Sequence, residues 1–439
     1  MANRRVLTLT PASVAVISNM IGTGIFTTTG LMAGMGALGG DILLAWLLGG
    51  VIALCGALCY GEVGANLPQS GGEYHYISRL LHPALGFMSG ILTLCVSFSA
   101  PIAAAAIAMN LYISRVVDGW PVRMMAAGII LLLALLHSYD LRLGSRFQVF
   151  ITILEVSLIA AFIGGVFLGS PTLRTDPDFQ VSPDFLFSSP FAVVLVFVAF
   201  AYSGWNAAAY MGAELHRPER TLPRALLIGT GIVTALYLLL NVSYLLVVSP
   251  SDLAGVEQVG FVVGERLWGT SAANAISLTI AFIMLCPTSA MLMIGPRVAE
   301  AMARDGFLPE VFGRLNGRNV PSRAVALLAV IASIIAVTSS FGPLLIYIGF
   351  TLNVFSALTV VGLFRLRRQG RSQYKICVGY PVTPIIFLAF TVWMTVWSIR
   401  SQPAATIAGI LTLAGAYGVY LLRARHLPAQ VAAEEPLAE

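Results

Sequence analysis

Residues 21–26 read Ile21-Gly22-Thr23-Gly24-Ile25-Phe26, preceded by Asn19 and Met20, in the middle of an otherwise apolar run from about 11 to 37. Each glycine costs about 1 kcal/mol relative to alanine inside a helix. Two of them around a threonine, at mid-membrane depth, mark a point where the helix gives way. Unwound backbone inside a bilayer is tolerated only where it is buried in protein or lines a cavity. Read alone, the same glycines would also serve close helix packing through small residues. Residues 200–206, Phe200-Ala201-Tyr202-Ser203-Gly204-Trp205-Asn206, place a second small, polar, helix-weakening cluster at mid-span, five spans later. Interruptions in corresponding positions of two halves point to an inverted repeat with a binding site at the membrane midplane. A broken helix offers free N–H groups at one half-helix start, which attract a carboxylate, and free carbonyls at the other end, which attract an ammonium.

The rest of the chain fits that setting. Of 439 residues, 58% are hydrophobic and only 10% charged, against about 25% charged in soluble domains. Apolar segments of the length that crosses a bilayer fall at about 11–37, 41–66, 85–114, 123–140, 146–169, 189–212, 224–249, 270–302, 322–340, 343–364, 381–400 and 403–424. The sequence therefore predicts an all-α membrane protein of twelve transmembrane helices. The first span, behind Arg4 and Arg5, resembles a signal peptide without a convincing cleavage site and is expected to be retained. With the N-terminus inside, 20 of the 25 Lys and Arg residues fall on the cytoplasmic side, as the positive-inside rule requires. Both termini are expected in the cytoplasm and the chain in the cell membrane, against the lipid bilayer. The longest external connections, 170–188 and 250–269, read as solvated loops or as caps over a vestibule. The net charge of +5 is spread between apolar runs and does not suggest nucleic acid.

Five motifs in order then become telling: IGTGIF at 21–26, YGEVGANLPQSGGEYHYI at 60–77, FAYSGWN at 200–206 with GAELHRPERTLPRAL at 212–226, GPRVAEAMARDGFLP at 295–309, and FRLRR at 364–368. With them the chain resembles the amino acid–polyamine–organocation superfamily, closest to the L-type amino acid transporters and their prokaryotic relatives. The resemblance implies a five-plus-five inverted repeat of leucine-transporter-like fold, with residues 1–169 as the first repeat and 189–364 as the second. Helices 381–424 are additional, and 425–439 form a cytoplasmic tail. It implies alternating-access transport of neutral L-amino acids, by exchange or proton symport, with discontinuous helices 1 and 6. By matching position, Thr23, Gly24 and Ile25 would bind the substrate carboxylate, and the carbonyls of Met20, Ile21, Phe200 and Ser203 the ammonium. Phe200 would also be the outward gate, and Asn206 a polar contact steadying the unwound sixth helix. Ser203, where relatives carry a glycine, would narrow the cavity towards smaller side chains.

Glu155 departs from the pattern, since several relatives place a lysine there. A carboxyl within a span is a functional candidate by default. It would handle a coupled proton, brace the bundle as a protonated, hydrogen-bonded group, or sit on a cavity or lipid face. Glu62, Glu73, Glu214 and Asp305 lie near arginines and read as gate or lock residues, or as surface salt bridges. Asn19, Asn110 and Asn353 read as interhelical hydrogen bonds, and Pro101 and Pro287 as kinks. Cationic amino acids or polyamines are the alternative cargo, disfavoured by the lack of an acidic residue at 19–26 and 200–206; a transport-inactive sensor and a channel are the other classes. Nothing resembles an enzyme motif. The five cysteines and five histidines show no metal-ligand spacing, and no cofactor or metal is expected. The resemblance extends to eukaryotic members that use a covalently attached partner through an external cysteine. The external connections here hold none, so no obligatory partner subunit is expected.

Overall fold

Apolar runs fold as helices here because hydrocarbon offers no partner to a free N–H or C=O, and a helix satisfies both within one segment. The computed structural model describes residues 5–114, 116–169, 179–338, 341–401 and 403–424. The 425–439 tail, Arg4, Arg115, Arg174, Asp176, Asp178 and the Asn353 side chain lie outside the described residues. The chain begins with α1 (Leu9–Met20) and α2 (Thr23–Gly34), two halves of one interrupted span, followed by α3 (Gly39–Asn66) and the short α4 (Glu73–Leu80). Next come α5 (Pro83–Leu92) and α6 (Ser99–Ser114), joined by a π-helical stretch Thr93–Phe98, then α7 (Val122–Tyr139), α8 (Leu141–Gly169) and the one-turn α9 (Pro183–Leu186). Helix α10 (Ser189–Ala201) ends abruptly and gives way to turns and two 3-10 pieces, Ala207–Tyr210 and Gly212–Glu214. The chain continues as α11 (Pro218–Val247), α12 (Pro250–Leu253), α13 (Val259–Ile283), α14 (Leu285–Ile294), α15 (Pro296–Arg304) and α16 (Ser322–Thr338). It closes with α17 (Phe341–Arg368), α18 (Val382–Ser401) and α19 (Pro403–Ala424).

By length and composition, seven described spans could cross a membrane, among them Leu9–Gly34, Pro83–Ser114 and Val259–Arg304, with shorter apolar helices such as Ser189–Ala201 beside them. Those three long spans are the most buried, while α7 and α8 turn large apolar side chains outward, with Leu135 71% and Phe150 65% exposed. Soluble monomers rarely present such continuous apolar surface; lipid is its natural neighbour. Among the described residues the only strand-like pairings are two isolated bridges, Leu7 with Leu215 and Ser70 with Met211. Both grip the stretch that follows α10: the Leu7 N–H donates to the Glu214 carbonyl at 2.9 Å, and the Gly71 N–H to the Tyr210 carbonyl at 3.2 Å.

Three local expectations change. The 250–269 connection is largely helical rather than loop: Ser249 caps α12 by accepting from the Asp252 N–H, and α13 starts at Val259, turning at Gly269 where φ is 79°. An extra helix, α4, lies between the second and third spans. The span read as 189–212 is helical only to Ala201. The two prolines act close to where the sequence puts them. Pro287 lacks the N–H that would bond the carbonyl of residue 283, and the helix is interrupted at Met284 between α13 and α14. Pro101 follows directly on the π-helical stretch.

Candidate binding site between two broken helices

Helix α1 stops at Met20. Ile21 (φ −71°, ψ 108°) and Gly22 (φ −148°, ψ −156°) run extended, and α2 restarts at Thr23 with no side chain capping its first turn. The first N–H groups of a helix have no partner within it, so the start of α2 offers bare donors and the positive end of a helix dipole. Helix α10 ends at Ala201, and the turn that follows passes through Gly204 at φ 97°, a backbone setting natural to glycine. A Cβ at Gly204 would lie 2.5 Å from the Asn19 carbonyl oxygen, and one at Gly24 would lie 2.5 Å from the Ala201 Cβ. Both glycines therefore let the two breaks touch. At Gly24 the close approach to Ala201 matches the small-residue packing that the sequence also allowed.

A cavity of about 30 Å³ lies where the breaks meet α6 and α14, lined by Asn19, Met20, Gly22, Thr23, Gly24, Phe200, Ala201 and Ser203, with Pro101, Ala104, Ala105, Pro287 and Met291 facing them. That is room for roughly one water, so the site is closed in this conformation. No charged side chain lines it. The structure thus brings Met20, Thr23, Gly24, Phe200 and Ser203 together around one space. Ile21 and Ile25 are fully buried in the core and do not line it; any part they take runs through their backbone.

Other assignments need correction. The Met20 carbonyl already accepts from the Tyr237 hydroxyl at 2.7 Å, and the Phe200 carbonyl from the Ser203 N–H at 2.9 Å. Neither is the bare acceptor expected from the helix breaks. Asn206 does not line the cavity; its amide donates to Glu73 at 3.1 Å, a polar contact on the unwound stretch of the kind the resemblance implies. Glu155 does not line the cavity either. It is fully buried on α8, which packs against α1, α11 and α14, so it does not face lipid. Its one polar neighbour of note is the Cys286 thiol on α14, which interacts with the carboxyl, so the bracing reading stands beside the proton-handling one. The thiol of neighbouring Cys286 is directed to the Ile151 carbonyl at 3.5 Å.

Two residues enter the site that the sequence did not place there: Asn19, read as an interhelical hydrogen bond, and Tyr237. Among the described residues, the Asn19 side-chain oxygen lies buried in the cavity lining with no hydrogen-bond partner, beside the bare donors of α2. Tyr237, buried on α11, stands between the two breaks: its hydroxyl is 2.7 Å from the Met20 carbonyl and 3.1 Å from the Ala201 carbonyl. Its ring packs on Trp46 and Tyr202 at centroid distances of 5.2 and 5.1 Å.

The glutamates of the motifs are not surface ion pairs. Glu214 makes a two-point pair with Arg297 at 3.1 and 3.2 Å, both side chains buried. Glu62 is likewise buried and takes two bonds from Arg367, one from Ser372, and the N–H groups of Ile376 and Cys377. Asp305 accepts from the Tyr74 hydroxyl at 2.6 Å.

Interrupted helices inside an all-helical apolar bundle, with a small uncharged cavity between the breaks, define a multi-pass membrane protein. The family model described as amino acid permease matches residues 7–417, and the chain belongs to that family. It is similar to the human large neutral amino acids transporter small subunit 2, 28% identical over 436 residues, covering 96% of this chain and 81% of the relative. The mouse b(0,+)-type amino acid transporter 1 is 28% identical over 406 residues, covering 89% and 81%. The mouse Asc-type amino acid transporter 1 is 26% identical over 437 residues, covering 96% and 81%. The chain is an amino acid permease.

Proposed function

We propose that this permease carries neutral L-amino acids across the cell membrane by alternating access, using the cavity between the two broken helices. The carrying observation is the lining itself: uncapped N–H groups at Thr23 and Gly24 on one side, the free Asn19 oxygen on the other, and no charged side chain between them. A zwitterion needs a donor cluster and an acceptor cluster and brings no net charge. A cationic side chain would enter this space uncompensated, which costs far more than a paired one. The carboxylate binds the start of α2, and the ammonium binds Asn19 with the Ile21 and Ser203 carbonyls. Phe200 closes the cavity. Each hydrogen bond to a charged group contributes about 1.5–3 kcal/mol, so several together offset the loss of the ligand's water. Named relatives that transport large neutral, b(0,+) or Asc-type amino acids support the amino acid class.

The architecture is read as twelve spans in a five-plus-five inverted repeat with two added helices, both termini on the arginine-rich cytoplasmic side. The placement of the breaks five spans apart supports that reading. Glu155, a fully buried carboxyl on α8, which packs against α1, is assigned as the proton-coupling group. No covalent partner subunit is assigned, because none of the five cysteines lies in the external connections. The test is uptake of a radiolabelled neutral amino acid into proteoliposomes, challenged with unlabelled neutral, cationic and anionic amino acids, with and without internal substrate and a pH gradient. Competition by neutral amino acids alone is expected. Competition by lysine or a polyamine as strong as by any neutral amino acid contradicts the reading.

A further inference from the structure

Glu73 is a buried carboxyl, only 4% exposed, held by neutral hydrogen-bond donors. One of its oxygens, Oε1, accepts from three separate elements: the Tyr60 hydroxyl of α3 at 2.6 Å, the Ser356 hydroxyl of α17 at 2.7 Å, and the Asn206 amide at 3.1 Å. The Tyr210 hydroxyl also bonds to the carboxyl. Burial pushes the pKa of Glu73 up, and these donors pull it back. The sequence builds this inward-pointing carboxyl deliberately. Gly71 (φ 120°) and Gly72 (φ 54°) turn the chain against the Tyr210 ring, where a Cβ at Gly72 would lie 2.4 Å from Cδ1, and α4 then starts with Glu73 facing the bundle.

Position gives the node its meaning. Asn206 ends the same unwound stretch, 202–206, that supplies Ser203 to the cavity, so the two ends of five residues touch the binding site and Glu73 respectively. Those residues continue into Ala207–Tyr210, packed against Tyr76 and the Gly71 backbone at the end of the bundle that carries the arginine-rich loops. Glu73 thus ties α3 and α17 to the far end of the stretch that supplies Ser203.

We propose that Glu73 is a positioning residue, the latch that holds the unwound segment of the sixth span against α3 and α17 and so keeps the cytoplasmic side of the pathway shut. The proposal rests on the transport reading above. It adds that the latch opens through loss of the Asn206–Glu73 bond, and that replacing the carboxyl by an amide loosens it without touching the binding site.

The test uses the full-length chain in proteoliposomes with Ala209→Cys, a position fully buried in this closed conformation, and reads maleimide labelling of that site by peptide mass spectrometry. In Glu73→Gln the labelling rate is expected to rise at least about five-fold, the low end of typical conformational coupling. Glu73→Asp, which keeps the carboxyl, is expected to bring labelling back towards the parent rate. Ser356→Ala and Tyr60→Phe each remove one donor hydroxyl and should give smaller increases. They carry the test if the Gln variant does not fold. Unchanged labelling in Glu73→Gln, or in both hydroxyl variants, overturns the latch. Absence of amino acid uptake by the parent chain overturns the transport reading instead, whatever the labelling shows.

Discussion

A single hydroxyl, that of Tyr237, faces the carbonyls at both helix breaks, and its removal is the sharpest change available at the residue scale. Tyr237→Phe keeps the ring packing on Trp46 and Tyr202 but leaves the Met20 and Ala201 carbonyls without that donor. An orphaned buried acceptor costs about 1–3 kcal/mol. The expected result is an uptake efficiency lower by roughly ten-fold, since about 1.4 kcal/mol is a factor of ten, in a protein that still inserts and folds. Uptake kinetics alongside a thermal melt check it, and wild-type uptake would remove Tyr237 from the site. Glu155→Gln keeps shape and removes the titratable group: a pH profile of uptake flatter than the parent's is expected, and an unchanged profile would leave Glu155 outside the coupling. Phe200→Ala is expected to raise the KM for uptake with a smaller effect on maximal rate. Of these residues, Phe200 and Glu155 were legible in the sequence, as a motif aromatic and a charge in an apolar run. Tyr237 was not, because a tyrosine in the run Ala235–Leu240 carries no sign of which helix it faces. Asn19 gave an ambiguous signal. An intramembrane amide has partners more often than not, and only the packing leaves this one without.

At the scale of elements, the breaks were legible because glycine in a helix interior is costly and here clusters with polar residues at mid-span. What the sequence could not say is that Gly24 and Gly204 serve contacts between the two breaks. Gly204→Ala combines strain at φ 97° with a Cβ 2.5 Å from Asn19. A non-glycine residue in such a setting costs on the order of 1–3 kcal/mol. Uptake is expected to be largely lost, and Gly24→Val, pressed on Ala201, should behave alike with the protein still in the membrane. Normal uptake by either variant would show that the breaks need not touch. The helical content of 250–268 was missed although Ser249-Pro250-Ser251-Asp252 carries a helix-start signature of cap, proline and acid. Polar composition outweighed it, and Gly255 and Gly269 divide the stretch into pieces too short to show a period. Helix α4 was missed for a related reason: eight residues between two glycines and a proline give barely two turns of pattern.

Across the whole molecule, two strand-like bridges pin the stretch after α10, and buried ion pairs join Glu214 to Arg297 and Glu62 to Arg367. Counting arginines along the chain gave a topology; it could not reveal that Glu214 and Arg297, 83 positions apart, are both buried. Glu214→Gln strands a buried guanidinium, and breaking such a pair costs about 3–5 kcal/mol. A clear drop in melting temperature is expected, with much of it recovered when Arg297→Leu is combined with Glu214→Leu; no drop would place the pair in a solvated setting. All of this serves one central claim, that a neutral zwitterion is gripped between the breaks. The most direct measurement is an experimental structure of the full-length protein saturated with a neutral amino acid that competes for uptake. The account predicts ligand density with its carboxylate at the N–H groups of Thr23 and Gly24 and its ammonium beside Asn19 and Ser203. Density elsewhere in the bundle, with the space between the breaks still closed, would contradict it.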